Sequence, residues 1–287
     1  MIGAAIIAYF PEEVKFKQVI EAVLHEVDIV VVYDNGGANY HWLSNTKKIL
    51  LLGNNKNVGI RGLNVAAKKL IGLRAEYILI LDQDSILPKN YVGAACKYLK
   101  HHESKYTCSP AINETERLRR TQKDKKSFRK KTFVIGSGLL MSADVWLDVG
   151  GFDENFFLDC VDIDWSLRAA RKGVQHIVMN NFTMNHSLGE GFYRFFGFKI
   201  SRHMPFRHYL YFRNITIILM RKKAPFFWKI KYAIKLPAQF FILSIVSDYK
   251  LEEFKAFYYG IKDGFSWNGR SLIEINENLF AEGSNTR

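Results

Sequence analysis

The chain has 287 residues, 48% of them hydrophobic and 24% charged, which is the balance of an ordinary globular protein with a sizeable core. Its three cysteines are widely spaced and form no Cys-x-x-Cys pair, which argues against a disulfide framework or a zinc site and fits a reducing cytosolic compartment. The net charge of +13 favours anionic partners. The apolar start Ile2–Phe10 has no basic region before it and is followed by Pro11, so a signal peptide is not expected.

Apolar runs alternate with helical periodicity over the first hundred residues. Four near-continuously apolar runs predict strands buried on both faces of a parallel sheet: Ile2–Tyr9, Asp28–Tyr33, Ile49–Leu52 and Tyr77–Leu81. Glu12–His25 and Gly62–Leu73 have the period of helices and complete strand–helix–strand units. This pattern predicts an α/β nucleotide-binding fold, whose functional residues gather at the carboxyl ends of the strands. Polar clusters follow these ends, at Ala8-Tyr9, Asp34-Asn35 and Asp82-Gln83-Asp84.

The second predicted strand ends in Asp34-Asn35-Gly36-Gly37. An aspartate there can accept the N3–H of uracil or thymine, and the glycines let a ligand approach the backbone, although the same residues would also make an ordinary turn. Asn54–Asn64 is rich in asparagine and glycine and leads into a helix, which makes a polar cradle of amide donors suited to ribose and diphosphate. It matches neither a Walker A loop nor a Gly-x-Gly-x-x-Gly fingerprint.

Asp82-Gln83-Asp84 directly follows the fourth predicted strand. Two carboxylates at i and i+2 can both reach one hard cation if the backbone turns there, and Mg²⁺ completes its coordination with substrate phosphates. A diphosphate leaving group requires such a cation because negative charge grows on the departing oxygen. The motif is short and equally fits a solvated turn, so its position at a strand end is what favours a metal site.

The middle of the chain changes character twice. Asn113–Lys131 is polar and basic with no apolar period and predicts a solvated loop or flap. Phe133–Met141 predicts a strand that runs through Gly136-Ser137-Gly138. His186 follows a further predicted strand; a lone histidine is usually structural, but beside an acid-bound cation it becomes a candidate third metal ligand.

A second acidic cluster opens the predicted helix Leu158–Arg171. Asp159 and Asp162 share a helix face if the helix begins early enough, and a carboxylate there can take a proton from an acceptor hydroxyl. Acidic residues in a first turn also complement the helix dipole, which would explain them without any catalytic role.

After His186 the composition becomes basic and aromatic. Residues 191–247 contain eleven lysines and arginines, fifteen aromatic residues and no acidic residue. This mixture suits an anionic lipid surface, where aromatic rings lie at the headgroup level and each nearby cation contributes about 1 kcal/mol. It would also attract nucleic acid, or it can be a face that is merely basic. The longest apolar stretch, Leu236–Ser247, is too short to span a bilayer and contains Pro237.

Taken together and in this order, the clusters resemble glycosyltransferase family 2, which has the GT-A fold, and within it the bacterial rhamnosyltransferase branch. The resemblance covers roughly residues 1–214, which we take as the glycosyltransferase domain, with 215–287 as a C-terminal helical, membrane-associating segment. The matching motifs are Ala8-Tyr9, Asp34-Asn35, Asn57–Asn64, Asp82–Ser85, Gly136–Gly138, Phe156–Arg168 and His186–Gly189. Val161 stands where many relatives have glutamate, which leaves the base open between Asp162 and Asp159.

The resemblance also implies roles for individual residues. The base of a nucleotide sugar would contact Ala8, Tyr9 and Asp34, and the ribose and diphosphate would lie near Asn57, Gly59 and Asn64. Gln83 is also expected to bind the nucleotide sugar. Asp82 would contact the ribose or a metal-bound water, whereas Asp84 would bind Mg²⁺ or Mn²⁺ directly, with His186 near the metal or diphosphate. Asp162 occupies the general-base position. The acceptor or diphosphate would lie near Gly136, and the basic region with Arg207, Tyr211, Arg213 and Asn214 would face a lipid-linked acceptor.

The resemblance therefore predicts an inverting, metal-dependent glycosyl transfer at the inner face of the cytoplasmic membrane. The expected donor is dTDP-L-rhamnose and the expected acceptor a polyprenyl-diphosphate-linked saccharide in O-antigen or capsule synthesis. A hexosyl- or galactofuranosyltransferase that uses a UDP-sugar would share every motif. A nucleic-acid-binding protein would leave the acidic clusters unexplained, and the chain has no motif that reads DNA or RNA, so nucleic acid is not expected as a partner.

Overall fold

A computed structural model gives the structure of the chain and describes residues 1–36, 40–43, 46–102, 105–112, 127–184, 191–195, 198–221 and 224–267. The chain forms two compact units. The first comprises Met1–Asp153 and Val161–Ser187, and the second comprises Glu154–Cys160 and Leu188–Arg287. The boundary expected at residue 214 falls within a helix of the second unit, Pro205–Met220.

Four parallel strands form one half of the sheet in the first unit. They are β1 (Ile2–Ala8), β2 (Ile29–Asp34), β3 (Ile49–Gly53) and β4 (Tyr77–Asp82), in the order β3-β2-β1-β4. Helices follow three of these strands: α1 (Glu13–Leu24), α2 (Arg61–Gly72) and α3 (Tyr91–His101). The predicted strands and the two predicted helices of this half are confirmed to within about two residues at each end, because their hydrophobic period is strong.

The rest of the sheet is mixed. It contains β5 (Tyr106–Ile112), β6 (Phe128–Lys131), β7 (Leu139–Ser142) and β8 (Gln175–Met184), and β7 pairs antiparallel with both β4 and β5. The full order is β3-β2-β1-β4-β7-β5-β8-β6, so this is a central, mostly parallel sheet. Two further helices lie in the described part of the unit, α4 (Ala143–Val149) and α5 (Val161–Arg171).

Three predictions for this region were wrong at their boundaries. The strand expected over Phe133–Met141 begins only at Leu139, because Gly138 has a φ of +79° and ends the extended backbone. The basic stretch expected as a loop contains the edge strand β6, while residues 113–126 lie outside the described part. The helix expected from Leu158 begins at Val161, because Phe157 and Cys160 have φ values of +62° and +67°. Asp159 therefore precedes this helix, and the shared helix face with Asp162 does not exist.

Helices cover both faces of the sheet, as a doubly covered parallel sheet requires. On one face Ala4 and Ile6 of β1 pack in a cluster with Phe16 of α1 and Tyr91 of α3. On the other face Ala5 packs in a cluster that contains the fully buried Trp165 of α5. Each large apolar side chain buried this way contributes about 1.5–3 kcal/mol to the free energy of folding. This core holds the carboxyl ends of β1, β2 and β4 in fixed register.

The described part of the second unit contains an antiparallel strand pair and three α-helices. These are β9 (Phe192–Phe195), β10 (Phe198–Ser201), α6 (Pro205–Met220), α7 (Phe226–Val246) and α8 (Lys250–Phe265). Helices α6 and α8 approach closely at Gly260, where an added Cβ would lie 2.9 Å from Phe212 Cβ. Nearby, the buried His208 ring nitrogen Nδ1 lies 2.8 Å from the buried Glu253 carboxylate. The expected helical C-terminal segment is present, and no helix in the described residues is long and apolar enough to cross a bilayer.

Candidate functional site

The carboxyl ends of three neighbouring strands bring the predicted polar residues to one edge of the sheet. β1 lies between β2 and β4, and its residue Ala8 is in register with Asp34. The preceding residue, Ile7, is in register with Asp82. Asp34 and Asp82 therefore end the strands on either side of β1, where ligands of open α/β sheets bind.

The turn after β2 is held by side-chain hydrogen bonds. Asp34 is 5% exposed, and its Oδ1 accepts the Gly36 amide at 2.9 Å. Burial raises the pKa of Tyr40, and the negative charge of Asp34 raises it further. The Tyr40 phenol therefore lies close enough to the Asp34 carboxylate to be affected by its charge. The same turn carries Tyr9 and Phe10 above it, because a Cβ on Gly36 would lie 2.9 Å from the Phe10 ring and 3.0 Å from the Tyr9 ring. The result is an anionic turn beneath two exposed rings.

Two residues at or above this turn, Asn35 and Phe10, were not among the predicted site residues. Asn35 is 3% exposed and fastens the turn to the loop before α2: its Oδ1 accepts the Val58 amide at 3.0 Å, and its Nδ2 donates to the Gly59 carbonyl at 3.1 Å. Phe10 is 63% exposed and has a φ of +41°, an unusual conformation for an aromatic residue. The sequence contains a signal for Asn35, which is the second residue of the Asp-Asn pair, but none that separates Phe10 from other apolar residues.

Two asparagines of the Asn54–Asn64 segment differ in exposure and in their hydrogen bonds. Asn57 is exposed and its Oδ1 accepts the Gly59 amide at 3.0 Å, which stabilises Gly59 at a φ of +57°. Asn64 is half-buried in α2, and both ends of its amide bind the backbone of Phe152, with two bonds of 2.9 Å. Asn57 thus faces solvent beside the sheet edge, whereas Asn64 joins α2 to the chain segment before α5.

Gln83 joins the ends of β1 and β4. Its Oε1 accepts the Tyr9 amide at 2.6 Å, and its Nε2 donates to the Tyr9 carbonyl at 3.1 Å. The side-chain amide thereby satisfies both backbone groups of the residue that follows β1. The Tyr9 ring remains 51% exposed, so the position is fixed while the ring is accessible.

Hydrogen bonds to two serine side chains stabilise the acidic turn after β4. The Asp82 amide donates to Ser137 Oγ at 3.0 Å, and the fully buried Ser85 donates its hydroxyl to Asp84 Oδ1 at 3.4 Å. Both carboxylates keep partial access to solvent. Ser137 belongs to the predicted Gly-Ser-Gly motif, so the structure brings this motif against the Asp-Gln-Asp motif.

The same motif also reaches the start of α5. A Cβ on Gly136 would lie 3.8 Å from Asp162 Cβ, so Gly136 and Asp162 are neighbours. Asp162 is half-buried in the first turn of α5, and its Oδ1 accepts the Ile163 amide at 2.8 Å. Residues 136 and 137 therefore connect Asp82 and Asp162, which are 80 positions apart in the sequence.

A buried ion pair fixes the orientation of α5. Asp164 is 4% exposed and binds the Arg168 guanidinium at 2.8 Å, one turn along the helix. Arg168 also donates to the carbonyls of Val149 and Gly151 at 2.9 and 2.7 Å. The charge of Arg168 is paired with Asp164, and its N–H groups donate to backbone carbonyls. The ion pair therefore stabilises the helix that carries Asp162.

In the second unit, Asp159 forms a bidentate pair with Arg207. The Arg207 Nη2–Asp159 Oδ1 distance is 2.8 Å, and the Nε–Oδ2 distance is 3.4 Å. Arg213 and Asn214 are buried and bind backbone carbonyls of the 154–160 segment: Arg213 reaches Asn155, and Asn214 reaches Phe156 and Asp159. Arg207 is thus the more accessible of the two arginines assigned to the acceptor side, at 39% side-chain exposure.

The donor atoms at the acidic turn fit a hard divalent cation. Asp82 and Asp84 supply carboxylate oxygens at a strand end, and Mg²⁺ and Mn²⁺ bind such oxygens together with phosphate oxygens of a substrate. Across the described ranges no group of three or more His, Cys, Asp and Glu side chains forms a complete metal cluster. His186, the expected third ligand, lies outside the described residues.

Comparison with known proteins found a similar sequence. No family model matches the chain. It is 26% identical over 249 residues to the dTDP-rhamnosyl transferase RfbF of Shigella flexneri, an alignment that spans 80% of this chain and 83% of that protein.

Solved structures that are similar in fold include GalNAc-T7 and TarS. GalNAc-T7 with UDP, GalNAc and Mn²⁺ aligns with a TM-score of 0.59 at 11% identity, and the alignment covers 92% of this chain but 56% of that one. Residues 1–349 of TarS from S. aureus, in complex with UDP-GlcNAc, align with a TM-score of 0.59 at 15% identity, over 92% and 80% of the two chains. The fold is the GT-A fold, as the sequence predicted.

Proposed function

We propose that this chain, a glycosyltransferase with the GT-A fold, transfers L-rhamnose from dTDP-L-rhamnose to a lipid-linked saccharide in O-antigen or capsule synthesis. The observation that carries the proposal is the alignment of Asp34, Asp82 and Asp84 at the carboxyl edge, with Asp162 brought alongside through Gly136 and Ser137. The choice of a rhamnosyl donor is supported by the similarity to the Shigella dTDP-rhamnosyl transferase.

In this proposal the turn after β2 holds the base. The Asp34 carboxylate accepts the N3–H of thymine, and Ala8 and Tyr9 contact the ring, with the exposed Tyr9 and Phe10 rings available for stacking. The ribose and diphosphate lie near Asn57, Gly59, Asn64 and Gln83. Since the amides of Asn64 and Gln83 already bind the backbone, they serve by positioning Phe152 and Tyr9, whereas Asn57 is accessible for direct contact.

The acidic turn would hold Mg²⁺ or Mn²⁺ between protein and diphosphate. Asp84 would bind the ion directly, Asp82 would contact the ribose or a water on the ion, and His186 would be the third ligand expected from the sequence. The bound ion would neutralise the negative charge that grows on the departing diphosphate. Ser137 and Ser85 keep the two aspartates in position by bonding the Asp82 amide and the Asp84 carboxylate.

Asp162 is proposed as the general base. Its carboxylate takes the proton of the acceptor hydroxyl while that oxygen bonds to the anomeric carbon and the bond to the diphosphate oxygen breaks, which inverts the anomeric configuration. Asp159 is less suited because both of its oxygens are engaged by Arg207. Gly136, beside Asp162, gives the acceptor or the diphosphate room to approach.

The second unit is proposed to associate with the cytoplasmic face of the membrane. Its helix α7 exposes apolar side chains next to lysines, most strongly Phe226 at 71% and Phe227 at 84%. Such a helix binds an anionic surface by inserting its rings and pairing its cations with headgroups. Co-sedimentation with anionic vesicles at low salt tests this. Failure to pellet, with neutral vesicles as the control, would remove the membrane part of the proposal.

The reaction is tested by a calorimetric titration of nucleotide sugars in the presence of Mn²⁺. We expect dTDP-L-rhamnose to bind at least about tenfold more tightly than UDP-sugars, a difference of about 1.4 kcal/mol. The second candidate function is a hexosyl- or galactofuranosyltransferase with a UDP-sugar, which the UDP-bound relatives in fold favour. Tighter binding of a UDP-sugar would establish that candidate instead.

A further inference from the structure

A cavity lies within the second unit. Its volume is about 880 Å³, within the range of about 300–1,000 Å³ that is usual for small-molecule sites. Residues of α6, α7, β9, β10 and the 154–160 segment line it. The lining combines a group of cations with an apolar wall.

Two lysines of α7 give the cavity an unbalanced positive charge. The Lys235 ammonium lies 5.2 Å from the Tyr232 ring centre and 5.8 Å from that of Tyr211, and the Lys231 ammonium lies 5.9 Å from Tyr232. Partial desolvation, and after it the charge of Lys231, lowers the pKa of Lys235, although this residue remains exposed. Among the described residues neither ammonium has a carboxylate within 4.0 Å, and the one carboxylate in the lining, Asp159, is paired with Arg207. Two neighbouring cations with no counterion favour an anionic ligand of multiple charge.

The same face of α7 carries an unused acceptor. Gln239 follows Lys235 by one helical turn, as Lys235 follows Lys231, so the three side chains form one stripe along the cavity. Gln239 Oε1 is buried and has no hydrogen-bond partner in the described part of the chain. A buried acceptor without a donor is unfavourable, and a ligand hydroxyl would supply the missing donor.

An apolar rim adjoins these polar groups. Ile234 and Phe241 line the cavity and are 67% and 61% exposed, and the buried Ile242 and Leu243 lie further in. The rim is continuous along α7 with the exposed rings of Phe226 and Phe227. A free phosphate would not require an apolar wall of this kind, whereas an amphiphile would use both surfaces.

We propose that this cavity binds the phosphorylated headgroup of a lipid, with Lys231 and Lys235 on the phosphates, Gln239 on a ligand hydroxyl, and Ile234 and Phe241 against the lipid chain. That the lipid is the acceptor of the glycosyl transfer rests on the proposed function. The binding itself does not, since every residue named belongs to the second unit.

Calorimetry on the full chain tests the proposal with farnesyl diphosphate as the probe, below its micellar concentration. Inorganic pyrophosphate and farnesol separate the contributions of the head and the chain. We expect farnesyl diphosphate to bind at least about tenfold more tightly than either. The double variant Lys231→Met/Lys235→Met should bind farnesyl diphosphate at least about tenfold more weakly. The control Lys229→Met, on the same helix but outside the cavity lining, should change binding less than twofold.

The pair Lys231→Arg with Lys235→Arg keeps the charges and should retain binding, which guards against a loss caused by misfolding. Raised salt should weaken binding to the unmodified chain, a readout that needs no variant. Equal binding of pyrophosphate, equal binding of farnesol, or full binding by the methionine pair would each overturn the proposal. A chain that binds a nucleotide sugar with Mn²⁺ but not farnesyl diphosphate loses this inference alone. One that binds only farnesyl diphosphate loses the proposed function alone.

Discussion

The backbone amide of Asp82 donates a hydrogen bond to Ser137 Oγ across 3.0 Å, and these residues lie 55 positions apart in the chain. Ser137 is 1% exposed, so the bond is protected from water. Next to it, Gly136 lies beside Asp162, since a Cβ added at Gly136 would be 3.8 Å from Asp162 Cβ. One short segment therefore sets the spacing between the proposed metal-binding turn and the proposed base.

Replacing Ser137 with alanine should disturb this spacing. The Asp82 amide would lose its partner at a cost of about 1–3 kcal/mol, and part of that cost should appear as weaker Mn²⁺-dependent activity. We expect kcat/KM to fall about five- to thirtyfold and the Mn²⁺ concentration for half activity to rise. Ser142→Ala, which removes a helix-capping hydroxyl of the same unit, serves as a control for lost stability. Unchanged activity in Ser137→Ala would show that the bond does not position the turn.

Asp162→Asn should separate binding from chemistry. The amide cannot accept the proton, so kcat should fall by about 10²–10⁴-fold, while calorimetry should show donor affinity within about twofold of the unmodified chain. Asp159→Asn breaks the pair with Arg207 and should chiefly raise the KM for the acceptor. If Asp162→Asn keeps its turnover and Asp159→Asn loses it, the base is Asp159.

Metal dependence is tested at Asp84. With Asp84→Asn the site loses an anionic ligand, so a titration with Mn²⁺ should show a midpoint at least about tenfold higher and a lower maximal rate. Asp144→Asn, at the first turn of α4, is the matched carboxylate control and should have no effect. Full activity of the unmodified chain in excess chelator would contradict the roles of Asp84 and His186 together.

The parallel half of the fold was predictable because each of its strands is a short apolar run buried on both faces, followed at once by polar residues. Asp34 and Asp82 were identified in this way, and the sheet register confirms that they end strands on either side of β1. Local pattern was sufficient here, because the carboxyl ends of parallel strands necessarily meet at one edge.

Bonds between distant segments were not predictable. The sequence predicts that Asn64 lies near the ribose and diphosphate, yet its side-chain amide binds the backbone of Phe152, 88 positions away. Likewise, Asp159 and Asp162 were expected on one helix, but the left-handed conformation of Cys160 starts the helix after Asp159. Contacts between distant segments determine these conformations, and the spacing of residues in the sequence does not predict such contacts.

The two glycines of the Gly-Ser-Gly motif should respond differently to alanine. At Gly138 the φ of +79° and a Cβ position 2.8 Å from Pro110 Cδ predict strain, so we expect Gly138→Ala to lower the thermal midpoint by several degrees. At Gly136 the new Cβ would make only ordinary contact with Asp162, at 3.8 Å, so the midpoint should be unchanged.

If Gly136 adjoins the acceptor or the diphosphate as proposed, Gly136→Ala should nevertheless raise the KM or lower kcat. Normal kinetics in a stable Gly136→Ala protein would remove Gly136 from the site. The pair of variants thus separates a backbone requirement at one glycine from a ligand requirement at the other.

Stability should fall as the pH is lowered through the titration range of His176. This ring is 1% exposed, its Nε2 donates to the Ser166 carbonyl at 3.2 Å, and its Nδ1 accepts the Thr107 hydroxyl at 2.8 Å, so the neutral form is fully bonded. Burial lowers the pKa of His176, only partly opposed by the bond to Ser166. Below pH about 6.5 the unfolded chain therefore binds a proton that the folded chain does not, and the free energy of unfolding decreases as the pH falls toward the folded pKa.

Burial, and then repulsion by Arg207, also lowers the pKa of His203, to about 4, so this ring adds to the same trend. Urea unfolding at pH 8 and pH 5.5 should show a smaller difference in His176→Gln than in the unmodified chain, since glutamine does not titrate. At pH 8 the variant should be less stable because a buried bonded ring is lost. The exposed His101→Gln is the control and should keep the full pH dependence. An equal pH dependence in His176→Gln would show that this histidine takes up its proton alike in the folded and unfolded chains.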